Sequence, residues 1–121
     1  MNKNKTLIIG ASSNSERYSY KAAEKLLAHN HSIYMIGNRP GTLFGNEIVN
    51  QQIPFADVDT VTLYVSPKNQ TDYHDYIISL KPRRVIFNPG TENPEFARQL
   101  ESFGIQTEEA CTLVLLSTGG Y

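Results

Sequence analysis

Lys5-Thr6-Leu7-Ile8-Ile9-Gly10-Ala11-Ser12-Ser13-Asn14-Ser15-Glu16-Arg17-Tyr18-Ser19-Tyr20 is the stretch whose reading decides the fold. An apolar run rich in isoleucine enters Gly10, small and hydroxyl residues follow, and an amphipathic segment comes next. That is the strand, loop and helix order of a nucleotide-binding βαβ unit. Small residues allow the backbone to approach a pyrophosphate closely, and the N–H groups that open the helix point at it. The helix dipole adds about 0.3–1 kcal/mol per favourable charge, and Arg17 can close over the anion with a planar two-pronged contact. The dinucleotide fingerprint G-x-G-x-x-G is incomplete, with Ser12 and Ser15 where its second and third glycines fall. A tight turn whose hydroxyls merely cap a helix fits this stretch as well.

Outward from the loop, Tyr18, Ala22, Ala23, Leu26 and Leu27 recur at helical spacing up to Asn30, a residue that tolerates a left-handed cap. Ser32 to Ile36 reads as a second strand ending in the breaker cluster Gly37-Asn38-Arg39-Pro40-Gly41. An NAD site places an acidic residue near this strand end for the ribose hydroxyls; Arg39 stands in that region instead, which suits a phosphorylated ribose. A solvated loop arginine is the plain alternative. A short strand is expected around Glu47 to Val49. Thr60 to Val65 is a β-branched run expected as a buried parallel strand. Ser66 caps the next helix, with Pro67 at its first position, Tyr73, Tyr76, Ile77 and Leu80 inward, His74 on the polar side and the end before Pro82. Val85 to Phe87 makes a strand that leaves through Asn88-Pro89-Gly90-Thr91-Glu92. Asn93 and Pro94 start another helix, with Phe96, Leu100 and Phe103 inward and Gly104 at its end, before a last strand from Ile105 to Thr107. The apolar run Leu113 to Leu116 either docks in the core or seals a homodimer.

This alternation predicts an α/β fold: a Rossmann-like open parallel sheet in three αβα layers, strand order 3-2-1-4-5-6, forming one domain over residues 1–121. A ligand is then expected outside the carboxyl ends of the strands, at the switch point between the first and fourth. Acidic and basic residues nearly cancel, 12 against 11, which argues against sequence-independent nucleic-acid binding. No apolar run approaches a membrane span and no leader pattern opens the chain, so a cytoplasmic protein with a small-molecule partner is expected. The single cysteine, Cys111, excludes an internal disulfide and argues against a cysteine-based zinc site. His29 and His31 have no acidic or cysteine neighbours that suggest a metal.

From Lys5 to Tyr121 the chain resembles the small stand-alone CoA-binding proteins, whose fold is similar to the CoA-binding domain that opens the succinyl-CoA synthetase alpha subunit. The resemblance rests on Ile9-Gly10-Ala11-Ser12, Arg17-Tyr18-Ser19-Tyr20, Ile36-Gly37-Asn38-Arg39, Val65-Ser66-Pro67-Lys68, Asn88-Pro89-Gly90-Thr91-Glu92 and Glu109-Ala110-Cys111-Thr112. It implies coenzyme A, or an acyl-CoA, as ligand. Gly10, Ala11, Ser12, Ser13 and Arg17 would hold the pyrophosphate, with Tyr18 beside them. Gly37, Asn38 and Arg39 would border the adenine and the 3′-phosphate. Val65, Ser66 and Pro67 would flank the adenine or upper pantetheine, and Asn88, Pro89 and Gly90 would continue along the pantetheine arm. In this family the loop after the second strand more often runs through proline before its basic residue, where this chain has Asn38. The synthetase's phosphohistidine domain has no counterpart in the chain, and no histidine flanks the phosphate loop, so binding without an assigned reaction is expected. An NADP-type oxidoreductase and a regulatory protein-interaction domain are the competing readings. Cys111, just after the last strand, is either a buried inert thiol or a partner for a mixed disulfide with CoA.

Overall fold

The computed structural model describes residues 5–121. A seven-stranded sheet runs in the order β3-β4-β2-β1-β5-β6-β7. Its strands are β1 Lys5–Ile9, β2 Ser32–Ile36, β3 Gly41–Leu43, β4 Asn46–Val49, β5 Val58–Leu63, β6 Arg84–Phe87 and β7 Gln106–Glu109. The helices are α1 Tyr18–Ala28, α2 Pro67–Gln70, α3 His74–Leu80, α4 Pro94–Ser102 and α5 Thr112–Thr118. All pairings are parallel except β3 with β4. The six parallel strands reproduce the expected 3-2-1-4-5-6 order, and β3 adds an antiparallel edge within residues expected as a loop.

The strand β1 is central because both its faces are covered, and its sequence shows this as an apolar run without alternation. Leu7 and Ile9 enter one core with Val61 and Leu63 of β5, Tyr76 and Ile77 of α3, and Phe96 and Leu100 of α4. Ile8 enters the other with Met35 of β2, Ala23 and Leu26 of α1, and Leu116 of α5. The result is the expected three-layer αβα arrangement. Asn30, at φ 66, turns the chain after α1, and the His31 N–H reaches back to the Leu26 carbonyl at 2.9 Å. Asn93 caps α4 by accepting the Phe96 N–H at 3.1 Å, with Pro94 at the first helical position.

Phe103, expected inward, lies outside the core, and so does Tyr18 of the α1 pattern. Tyr18 is 66% exposed and Phe103 61% exposed. The first opens α1 and the second caps α4, so neither has a full turn of helix on both sides to hold it on the buried face. The segment after Ser66 is not one helix: a 3₁₀ turn at Thr71–Tyr73 separates α2 from α3. The tighter winding of that turn shifts the helical phase, and His74 leaves the polar side to stack on Phe96, ring centroids 3.8 Å apart. The Leu113 to Leu116 run is part of α5, with Leu116 buried and Val114 exposed. Among the described residues no helix is long and apolar enough to cross a membrane.

Candidate functional site

Four loops meet at the carboxyl ends of β1, β2, β5 and β6, and glycine sets the spacing between three of them. Gly10, at φ 94, fits against the backbone of Tyr64, which a β-carbon would approach to 2.9 Å. The N–H groups of Gly10 and Ala11 both donate to the Ile36 carbonyl at 2.9 Å, and the Tyr64 N–H donates to the Ile9 carbonyl at 2.8 Å. Gly10 and Ala11 therefore weld the ends of β1, β2 and β5 into a floor, and their amides are spent there. The donors expected along Gly10 to Ser13 reduce to those of Ser12 and Ser13. Neither has an acceptor among the described residues, and the same holds for Tyr18 and Ser19 at the start of α1.

The loop between Ser12 and Arg17 is ordered by its own side chains. Ser12 Oγ accepts from the Asn14 N–H, Asn14 Oδ1 from the Glu16 N–H, and the Asn14 carbonyl from the Arg17 N–H, each at 3.0 Å. Arg17 occupies the N-cap position of the eleven-residue helix α1, in extended conformation and without capping it through its side chain. Its guanidinium is thus left beside a helix start whose partial positive charge already favours an anion.

Gly37 is buried, while Asn38 and Arg39 beside it are exposed. On the loop after β5, Val65 is half-buried and Ser66, Pro67 and Lys68 are exposed. Arg17, Arg39 and Lys68 thus contribute one cation to each of three loops, and none of the three forms an ion pair with a described residue. Pro89 and Gly90 are exposed on the fourth loop. Asn88 differs from them: it is buried, its Nδ2 donates to Thr62 Oγ1 at 2.6 Å and to the Leu63 carbonyl at 2.9 Å, and its Oδ1 accepts the Thr112 N–H at 2.9 Å. Its side chain is a brace within the fold.

Gln70, which sequence reasoning missed, braces the other wall. Fully buried, it donates from Nε2 to the carbonyls of Val65 at 3.0 Å and Thr91 at 2.7 Å, while its Oε1 accepts from Asn93 at 3.1 Å. The loops after β5 and β6 are thereby held at one separation. Beyond this wall lies a cleft of about 440 Å³ lined by Pro67, Thr71, His74, Asn93, Glu95, Phe96 and Gln99. Tyr64 follows β5 with its hydroxyl buried beside those of Thr62 and Thr112, in a geometry too poor for a regular hydrogen bond. Burial pushes it up to about 12, so it stays protonated at neutral pH. Cys111 is half-buried at the N-cap of α5.

A crystal structure of an uncharacterized protein is 47% identical over 100% of both chains, with a TM-score of 0.96. The redesigned binding protein Prb, made from the PH1109 protein, shares 22% identity over 98% of this chain and 86% of its own, with a TM-score of 0.87. A hypothetical protein from Pyrococcus horikoshii OT3 shares 23% over 97% and 83%, with a TM-score of 0.84. The last two likenesses are of fold alone. None of the curated proteins matches the chain. A family model described as the CoA binding domain matches residues 4–117, nearly the whole described chain. The chain belongs to the CoA-binding domain family.

Proposed function

We propose that the protein binds coenzyme A, free or as a thioester, across the carboxyl ends of β2, β1, β5 and β6. The observation that carries this reading is that Arg17, Arg39 and Lys68, without ion pairs among the described residues, stand on three loops at the strand ends where Gly10, Ala11 and Gly37 pack closely. An elongated ligand with anionic groups at several points matches that distribution, and membership of the CoA-binding family supplies its chemical class.

In this reading the N–H groups of Ser12 and Ser13, the start of α1 and Arg17 hold the pyrophosphate, with the exposed ring of Tyr18 beside it. Gly37 and Asn38 border the adenine, and Arg39 takes the 3′-phosphate. The backbone of Val65, Ser66 and Pro67 lies along the adenine or upper pantetheine, and Pro89 and Gly90 along the pantetheine arm. Asn88 contributes by holding its loop. No reaction is assigned.

Calorimetric titration of the apo protein with CoA, dephospho-CoA, NADP and NAD in one buffer tests the reading. Micromolar CoA binding that weakens without the 3′-phosphate, with little heat from NAD or NADP, is expected. A folded sample that ignores CoA, or prefers NADP, overturns it.

A further inference from the structure

The face of the sheet that carries the second core also carries a buried polar row, where a sheet core is ordinarily apolar. Thr6 of β1 pairs with Thr60 of β5, which pairs with Arg84 of β6, so the three form one row across three strands. Thr6, Thr60 and Arg84 are all buried. Tyr121 covers this row. Its hydroxyl bonds Thr6 Oγ1, the Arg84 guanidinium lies 4.5 Å from its ring centre, and the His31 ring meets it edge-on at 4.8 Å. Arg84 also reaches Thr60 and Glu108, both at 3.3 Å.

The helix α5 begins, toward the carboxyl ends of β5 and β6, beside the loop at residues 88–92. Thr112 opens α5, its N–H held by Asn88 and its hydroxyl 2.8 Å from that of Thr62. The Asn88 carbonyl in turn accepts both the N–H and the hydroxyl of Thr91, at 2.9 and 2.8 Å. The seven-residue α5 is too short to be stable alone. Among its residues Leu116 enters the second core, so α5 depends on polar clamps at both ends.

We propose that Tyr121 is a positioning residue for the ligand loop at residues 88–92: it latches α5, and α5 holds that loop through the contact between Thr112 and Asn88. The element with two states is α5, docked or locally undocked. The ligand consequence rests on the CoA reading above; the mechanical link does not. Because residues 88–92 lie along the pantetheine arm in that reading, releasing the latch weakens the pantetheine end and leaves the nucleotide end alone.

The test compares wild type, Tyr121→Ala and Tyr121→Phe by amide hydrogen exchange, and by titration with CoA and with adenosine 3′,5′-bisphosphate, which lacks pantetheine. Tyr121→Ala is expected to speed exchange across residues 88–92 and to weaken CoA about fivefold with the bisphosphate unchanged. Tyr121→Phe keeps the ring on Arg84 and His31 but loses the bond to buried Thr6, and is expected to fall between wild type and Tyr121→Ala. Faster exchange confined to residues 112–121, or equal losses for both ligands, overturns the proposal. If Tyr121→Ala does not fold, Tyr121→Phe under mild urea carries the exchange test: opening of residues 88–92 together with α5 supports the latch, and independent opening overturns it. A wild type that binds neither ligand defeats the CoA reading, and the exchange data still judge the latch.

Discussion

The carbonyl oxygen of Ala11 lies 2.3 Å from where a β-carbon on Gly37 would stand. No side chain fits in that gap, so the loop after β1 and the loop after β2 approach as closely as backbones can. Gly37 is thus required for its size. Gly37→Ala is expected to push the two loops apart, costing about 1–3 kcal/mol of stability by overpacking. A thermal melt reads the loss, and wild-type stability in the variant shows that the loops can part freely. In the binding reading the same change also separates Arg17 from Arg39, so CoA affinity falls in molecules that remain folded.

Arg39 stands exposed and without an ion pair among the described residues at the end of β2. If it meets the 3′-phosphate of bound CoA, Arg39→Ala weakens CoA more than dephospho-CoA. A charge-assisted contact of this kind contributes about 1.5–3 kcal/mol, which corresponds to a loss of roughly tenfold or more at about 1.4 kcal/mol per decade. Equal losses for the two ligands, measured by titration, place Arg39 away from that phosphate.

The order of the parallel strands was legible because each buried strand is a run of branched apolar residues flanked by breakers. The edge hairpin of β3 and β4 was not. A two-residue hairpin of type I′ needs positive φ at both central positions and is usually announced by Asn-Gly; this one uses Phe44 and Gly45, at φ 51 and 78. Phe44 is supported in that conformation by the Tyr20 ring, 5.1 Å away, and by Asn46, which bonds its carbonyl. Such support is a tertiary contact with no local signature. The small-residue loops were legible as places where backbones approach closely, because Gly10 and Gly37 leave no β-carbon between the strand ends. The internal use of the Gly10 and Ala11 amides was not, since hydrogen bonds from a loop to the end of β2 depend on register. Gln70 and Asn88 look like ordinary polar loop and helix residues until their partners are known.

Gln70 holds the carbonyls of Val65 and Thr91 and the amide of Asn93 from a fully buried position. Gln70→Leu keeps the bulk and strands all three groups. Each buried polar group left unpaired costs about 1–3 kcal/mol, so a loss of several kcal/mol is expected, lowering the urea midpoint with the loops after β5 and β6 free to separate. A midpoint within error of wild type would show that water replaces the glutamine at no cost.

His74 and His31 set the response to mild acid. His74 is stacked on Phe96 with a buried, unpartnered Nε2; burial lowers its pKa, against the opposing pull of Asp75 and Glu95. His31 is lowered first by burial and then by His29 and Arg84, with Asp59 acting the other way, so that the two groups are linked. An imidazole that binds its proton less well in the folded state contributes stability that is present above its ordinary pKa of about 6.5 and is lost as pH falls through the folded value. The urea midpoint should therefore decline as pH is lowered from 7 through the window beneath 6.5. His74→Phe preserves an aromatic stack and removes one titration, so its decline is shallower, the remainder belonging to His31. At lower pH a second loss follows at Asp59. Burial resists its charge, but hydrogen bonds from Arg83, at 2.9 and 3.0 Å, and from Thr60, at 2.7 Å, outweigh that and hold the carboxyl below the usual range. Its contribution is present above about pH 4 and disappears as pH falls below that, so Asp59→Asn should flatten this lower limb and, by removing the charge that opposes the lowering at His31, steepen the upper one. A wild-type slope in His74→Phe between pH 7 and 5 would show that its buried nitrogen does not oppose protonation.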